Sequence, residues 1–184
     1  MLPIIVNQPW PPDVGEDLRR PDGQLVVCPT TGRRLHVYHD QIILWATFTP
    51  DSHTPPSPNA VLFPVVLDTG FNDTFLMQQR QVEAWLTPAF LAGVKLTRHE
   101  LSVGRERIPC WDLALWIYPN VAGTRDADPA AAPVWIDLPL GVTLTPPGSA
   151  YTKEKPLLGL RAVRLNDLSL RIDGRLRRVW LDAP

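Results

Sequence analysis

The run Phe63-Pro64-Val65-Val66-Leu67-Asp68-Thr69-Gly70 sets the strongest constraint on the fold, because an apolar strand ends on a carboxylate, a small hydroxyl residue and a glycine. The chain turns apolar again at Phe75-Leu76. A strand of this kind has to be buried, so it carries Asp68 into a low-dielectric site where ionisation is costly and the pKa is open to tuning. The Thr69 hydroxyl can lock the loop by hydrogen bonding, and Gly70 permits a backbone turn that a side chain would obstruct. The same triplet also suits a plain strand-ending turn in which Asp merely accepts backbone hydrogen bonds.

A second segment, Pro156-Leu157-Leu158-Gly159-Leu160-Arg161-Ala162-Val163, precedes Leu168-Ser169-Leu170-Arg171-Ile172-Asp173-Gly174-Arg175. Taken in order with Asp68-Thr69-Gly70, these segments resemble the retroviral-type (retropepsin-like) aspartic proteases, over roughly Gln41 to the C-terminus. The resemblance implies an all-β acid-protease fold with one or two short helices and one lobe per chain. It implies that Leu157, Leu158 and Gly159 form a strand supporting the Asp-Thr-Gly loop, followed by a short helix over Leu160–Leu165. Asp173-Gly174 is a hairpin-turn signal between alternating strands. By the same resemblance Asn72 and Asp73 contact the substrate backbone; capping of the turn is an equal reading of both.

Between these anchors, Met77 to Leu86 reads as a short helix ended by Thr87-Pro88. Leu96 to Val103, a turn at Gly104-Arg105 and a return from Arg107 to Tyr118 make a long hairpin where the resembled family carries its flap. Gly104 then lies at or near the tip of a segment that closes over substrate and excludes water. Family flaps have a glycine-rich tip, whereas this one has one Gly among charges, and an ordinary surface hairpin is the alternative. Asn120 to Pro133 reads as an exposed loop with little to bury, Val134 to Leu144 as a strand, and Thr145 to Lys155 as a second connection.

Residues 1–40 read as a Pro-containing N-terminal arm, since Pro9, Pro11, Pro12 and Pro21 interrupt any helix or central strand. Leu25–Cys28 and Leu35–Tyr38 are suited to a hairpin around Pro29-Thr30-Thr31-Gly32, and such an arm could block the cleft. Residues 41–184 form the protease-like domain, opening on a strand from Gln41 to Phe48 and a Pro-rich loop from Thr49 to Asn59.

With 184 residues the chain can bury a real core, and its formal net charge of −1 does not favour nucleic-acid binding. The cluster Arg171, Arg175, Arg177 and Arg178 reads as a solvated strand face. No basic leader followed by a long apolar segment occurs, and no apolar run approaches membrane-spanning length, so a soluble, cytoplasmic protein is expected. Cys28 and Cys110 read as buried thiols rather than a bridge. Cys28, His36, His39 and His99 lack the second paired element of a zinc site, and neither a metal nor a cofactor is expected. No Gly-x-Ser-x-Gly elbow or phosphate-binding glycine loop is present.

Aspartic proteolysis needs two carboxylates sharing one proton, one as general base on water and the other as general acid towards the scissile carbonyl. The sequence holds one Asp-Thr-Gly; Asp22-Gly23 and Asp173-Gly174 lack the middle residue. An active endopeptidase therefore has to be a homodimer with Asp68 meeting its copy across a two-fold axis, acting on a peptide or protein at acidic to mildly acidic pH. By resemblance Thr69 braces the loop against the partner. Two other classes stay open: a catalytically silent relative that binds peptides or assembles complexes, and a β-rich structural domain with a fortuitous triplet.

Overall fold

The computed structural model describes residues 4–10, 15–38 and 41–184. Pro11, Pro12, His39 and Asp40 lie outside the described residues. The fold is all-β with two short helices. Strands are β1 (Ile4–Pro9), β2 (Glu16–Asp17), β3 (His36–Val37), β4 (Ile42–Thr49), β5 (Phe63–Asp68) and β6 (Phe75–Gln78); α1 follows at Gln79–Trp85. Then come β7 (Leu96–Val103), β8 (Glu106–Trp111), β9 (Ala114–Tyr118), β10 (Val134–Ile136), β11 (Val142–Thr145) and β12 (Leu157–Gly159). Helix α2 (Leu160–Leu165) leads into the closing hairpin of β13 (Ser169–Asp173) and β14 (Arg178–Asp182).

Nine strands form one sheet in the order β10-β9-β4-β5-β12-β6-β11-β8-β7. Every residue of β4 is buried, as its unbroken run Ile42-Ile43-Leu44-Trp45-Ala46 requires of a central strand covered on both faces. Phe48 packs 5.2 Å from Phe63 and 5.4 Å from Phe75, ring centre to ring centre, and Phe63 stacks on Trp85 of α1 at 6.0 Å. These rings tie β4, β5, β6 and α1 into one wall; each such pair contributes about 1 kcal/mol beyond its buried area.

β12 inserts between β5 and β6, parallel to the first and antiparallel to the second. Parallel neighbours need a long crossover, and here nearly ninety residues separate β5 from β12, so the central sheet cannot close until the C-terminal third of the chain arrives.

Three expected elements differ in detail. Met77 belongs to β6, so the helix begins two residues later than Met77, at Gln79. The return from Arg107 to Tyr118 is broken at Asp112-Leu113, because β8 pairs with β11 while β9 pairs with β4 and β10. Val134 to Leu144 is likewise two strands with a turn between them, where Gly141 has φ of 83°.

The expectation for Asn120 to Pro133 also needs correction. Ala127 is buried, Trp45 Nε1 donates to the Arg125 carbonyl at 2.7 Å, and the Arg125 guanidinium bonds Glu16 at 2.8 Å. This segment is built into the protein because it satisfies polar groups of neighbouring elements.

Residues 4–10 and 15–38, read from sequence as an arm, supply Ile5, Val6, Leu18, Val26, Cys28, Leu35 and Val37 to the same buried cluster as the rest of the chain. The hairpin around Pro29–Gly32 is present, with Cys28 N–H donating to Arg33 O at 2.8 Å and Leu35 N–H to Val26 O at 2.8 Å. β1 pairs antiparallel with β14, making a three-stranded sheet β1-β14-β13. Among the described residues no helix is long and apolar enough to cross a membrane.

Candidate active site

β5 delivers Asp68 to the end of a buried strand, and β12 fixes it there: Leu157 registers with Val66, Leu158 with Leu67 and Gly159 with Asp68. The loop that follows wraps Gly159. Its N–H donates to Thr74 O at 3.0 Å, and the next N–H, of Leu160, donates to Phe71 O at 3.1 Å. A Cβ on Gly159 would lie 2.0 Å from Asp73 O and 2.5 Å from Phe71 O, so no other residue fits while the loop keeps this path. Leu157, Leu158 and Gly159 are all buried beneath the triplet.

The Asp68 carboxylate accepts the Gly70 N–H at 2.8 Å, and Phe71 N–H donates to Asp68 O at 3.2 Å. A Cβ at Gly70 would make a tight contact, 3.3 Å, with the Asp68 carboxylate oxygen itself. Asp68 itself is partly buried in the single chain, at the end of an otherwise buried strand. One expectation is corrected at this point. Thr69 is exposed, and its hydroxyl has no partner among the described residues, so it does not lock its own loop.

Asp73 acts within the loop. Its carboxylate accepts the Thr74 N–H at 2.8 Å and lies 3.8 Å from the Arg161 guanidinium, pinning the loop to α2. Thr74 is buried and its hydroxyl donates to Gly141 O at 3.2 Å, linking the loop to β11. Asn72 is exposed.

Asp68 and Thr69 open into a cavity of about 350 Å³ walled by Ile42, Val66, Leu67 and Leu157, with Lys153 and Ile172 at its margin. Asn72, Asp73 and Gly104 do not line it. Among the described residues no residue before Gln41 lines it.

Gly104 and Arg105 form the two-residue loop between β7 and β8, Gly104 with φ of 59°. Near this tip Glu106 accepts the Ser149 hydroxyl at 2.6 Å and the Ala150 N–H at 3.1 Å. The hairpin is therefore latched to the connection between β11 and β12. The Ser149 hydroxyl, and then the Ala150 amide, hold the Glu106 carboxyl below the usual glutamate range. A depressed folded-state pKa means that the latch is complete above the ordinary glutamate value and is lost as pH falls through the lower one. The Ala150 amide proton is expected to titrate in NMR spectra with an inflection below that of a free glutamate, and Glu106→Gln to abolish the inflection.

Cys28 and Cys110 are free and buried, and burial pushes the Cys110 thiol up. Among the described residues no three His, Cys, Asp or Glu side chains converge as metal ligands, and the His36 ring lies 3.0 Å from the Asp17 carboxylate. His39 lies outside the described residues.

No family model, curated protein or solved structure matches the chain. The functional reading therefore rests on the geometry just described.

Sequence reasoning did not find the Asp73–Arg161 ion pair, the Thr74 anchor, or Lys153 and Ile172 at the cavity margin. Arg161, two residues after Gly159, was the one local sign available. The others come together only through long-range pairing of strands.

Proposed function

We propose that this chain is a retropepsin-like aspartic endopeptidase that works as a homodimer, with Asp68 of each copy forming the water-activating pair. The observation that carries this reading is the placement of Asp68 at the partly buried end of β5, braced by Gly159 of the inserted strand β12, on an open cavity of mixed polar and apolar lining. A strand-ending turn with no further role would not need a buried strand threaded between its two limbs. Nor would it need a glycine that accommodates the loop backbone at otherwise impossible distances.

In the dimer one Asp68 carboxylate takes a proton from water while the protonated partner donates to the scissile carbonyl oxygen. Thr69, exposed and without a partner among the described residues of one copy, braces the facing loop. The β7–β8 hairpin covers an extended substrate, and release of its Glu106 latch accompanies opening.

The open edge of the sheet β1-β14-β13 supports placing the join between copies there. The outer edge of β1 is covered: Asn7 N–H donates to Asn120 Oδ1 at 2.7 Å, Asn120 Nδ2 donates to Asn7 O at 2.8 Å, and Gly123 N–H donates to the same oxygen at 2.8 Å. The edge of β13 has no strand beside it among the described residues. It carries Ile172, 52% exposed, and its turn carries Leu176, 62% exposed. Ile172 lies on the margin of the Asp68 cavity, so a copy docked along β13 across a two-fold axis brings its own Asp68 loop to the same place.

Ile172→Asp is expected to give monomers in sedimentation velocity and to lose cleavage, while shifting fold stability by only about 0.5 kcal/mol, as befits an exposed position. A dimer of unchanged affinity would place the interface elsewhere. The reading as a whole is tested by mass-spectrometric detection of cleavage in a diverse peptide mixture from about pH 4 to 7. Cuts that Asp68→Asn does not make are expected; silence from the wild-type dimer would favour a peptide-binding or assembly role.

A further inference from the structure

The connection between β11 and β12 is held from several sides just before it reaches the cavity. Gln78 Nε2 donates to Lys153 O at 2.6 Å, and Gln81 Nε2 donates to Glu154 O at 2.6 Å. Lys155 is buried; its ammonium donates to His36 O and lies 4.7 Å from the Tyr38 ring centre. Gln81 is fully buried, so this clamp is part of the core rather than a surface contact. The backbone at Lys153 is thereby fixed at the rim of the cleft.

Its side chain is the opposite case. Lys153 is exposed, lines the cavity with Asp68 and Thr69, and forms no ion pair among the described residues; its ammonium lies 5.9 Å from the Tyr151 ring centre. Among the described residues it is the one cation lining the cavity and Asp68 the one anion, the other lining residues being apolar apart from Gln41 and Thr69. In a dimer whose two Asp68 carboxylates share a proton, one negative charge faces two Lys153 ammonium groups. The cleft then keeps an excess of positive charge at its open rim.

We propose that Lys153 is a specificity residue that makes this cleft prefer peptides with an aspartate or glutamate side chain near the scissile bond and disfavour those with lysine or arginine there. The inference rests on the peptidase reading and on the cavity geometry. Attraction to an acidic residue and repulsion of a basic one act in the same direction, so discrimination between the two exceeds either effect alone. Because Lys153 remains partly hydrated, the gain for glutamate over glutamine is about fivefold in kcat/KM, and it declines with added salt.

The test profiles cleavage of a peptide digest of whole-cell protein at about pH 6, where free aspartate and glutamate are ionised. Wild type, Lys153→Gln and Lys153→Glu are compared. Wild type should enrich acidic residues near the cut, Lys153→Gln should lose the enrichment, and Lys153→Glu should invert it towards lysine and arginine. Three identical profiles would overturn the specificity role while leaving the peptidase intact. If none of the proteins cleaves, the peptidase reading fails, and retention of the same digest on immobilised Asp68→Asn and Asp68→Asn/Lys153→Glu decides the inference. Preferential retention of acidic peptides by the first and basic peptides by the second supports it. Equal retention, or no retention, overturns it.

Discussion

Asp68→Asn is expected to abolish cleavage, with a loss on the order of 10⁴-fold, while leaving the fold in place. The substitution is nearly isosteric, and an amide oxygen can still accept the Gly70 N–H that the Asp68 carboxylate accepts at 2.8 Å. What disappears is the ability to take a proton from water and to share one with the opposite copy. Mixing the variant with wild type separates this mechanism from a single-chain one. If the copies exchange freely, an equal mixture retains about one quarter of the wild-type activity, because both subunits have to carry the carboxylate. Chains acting alone would retain about one half. Circular dichroism and sedimentation of the variant, both expected to match wild type, keep the result from being a folding defect.

Gly159→Ala is expected to destabilise the protein by about 3 kcal/mol, at the upper end for overpacking. The added methyl would meet Asp73 O at 2.0 Å and Phe71 O at 2.5 Å, and both are backbone atoms. Neither can retreat cheaply, because Phe71 O already accepts the Leu160 N–H and the loop is held by the Gly159–Thr74 bond. For a chain of this size that loss corresponds to a fall in Tm of about 6–12 °C. Gly174→Ala is the control: nothing lies within 4 Å of its new methyl, and its Tm should remain within a few degrees of wild type. An unchanged Tm for Gly159→Ala would mean that β12 does not pass beneath the loop as described.

The parts of this molecule that sequence reveals are those whose chemistry is local. The apolar run into Asp68-Thr69-Gly70, the Leu157-Leu158-Gly159 strand and helix α2 at Leu160–Leu165 each depend on a few consecutive residues, and each lies where those residues indicate. The break at Asp112-Leu113 has only Asp112 as a local marker, and apolar residues resume directly after it. It arises because β8 and β9 serve different neighbours in a large sheet. The interruption of Val134–Leu144 was signalled by Pro139 and Gly141, whose turn was outweighed by the hydrophobic pattern around it.

The contribution of the first forty residues was illegible for another reason. β1 finds its partner at the far end of the chain, and no local pattern reports such a pairing. The polar residues at the junction of β6 and α1 show the same effect. Gln78 and Gln81 read as ordinary helix-start residues, yet they hold the carbonyls of Lys153 and Glu154, more than seventy positions away. A site assembled from distant segments shows its anchors in sequence, but its walls emerge only once the sheet has closed.

The covering of β1 by Asn120 and Gly123 has a consequence for how many copies can associate. A three-stranded sheet open on both sides could add copies head to tail without limit and grow into a filament. In this sheet one side is sealed by its own chain and the other is offered at β13, so in the proposed dimer two such edges used against each other leave none of this sheet for a third copy. In the proposed dimer the Asn120 side chain, together with the Gly123 N–H, would thus limit this sheet to one pairing edge.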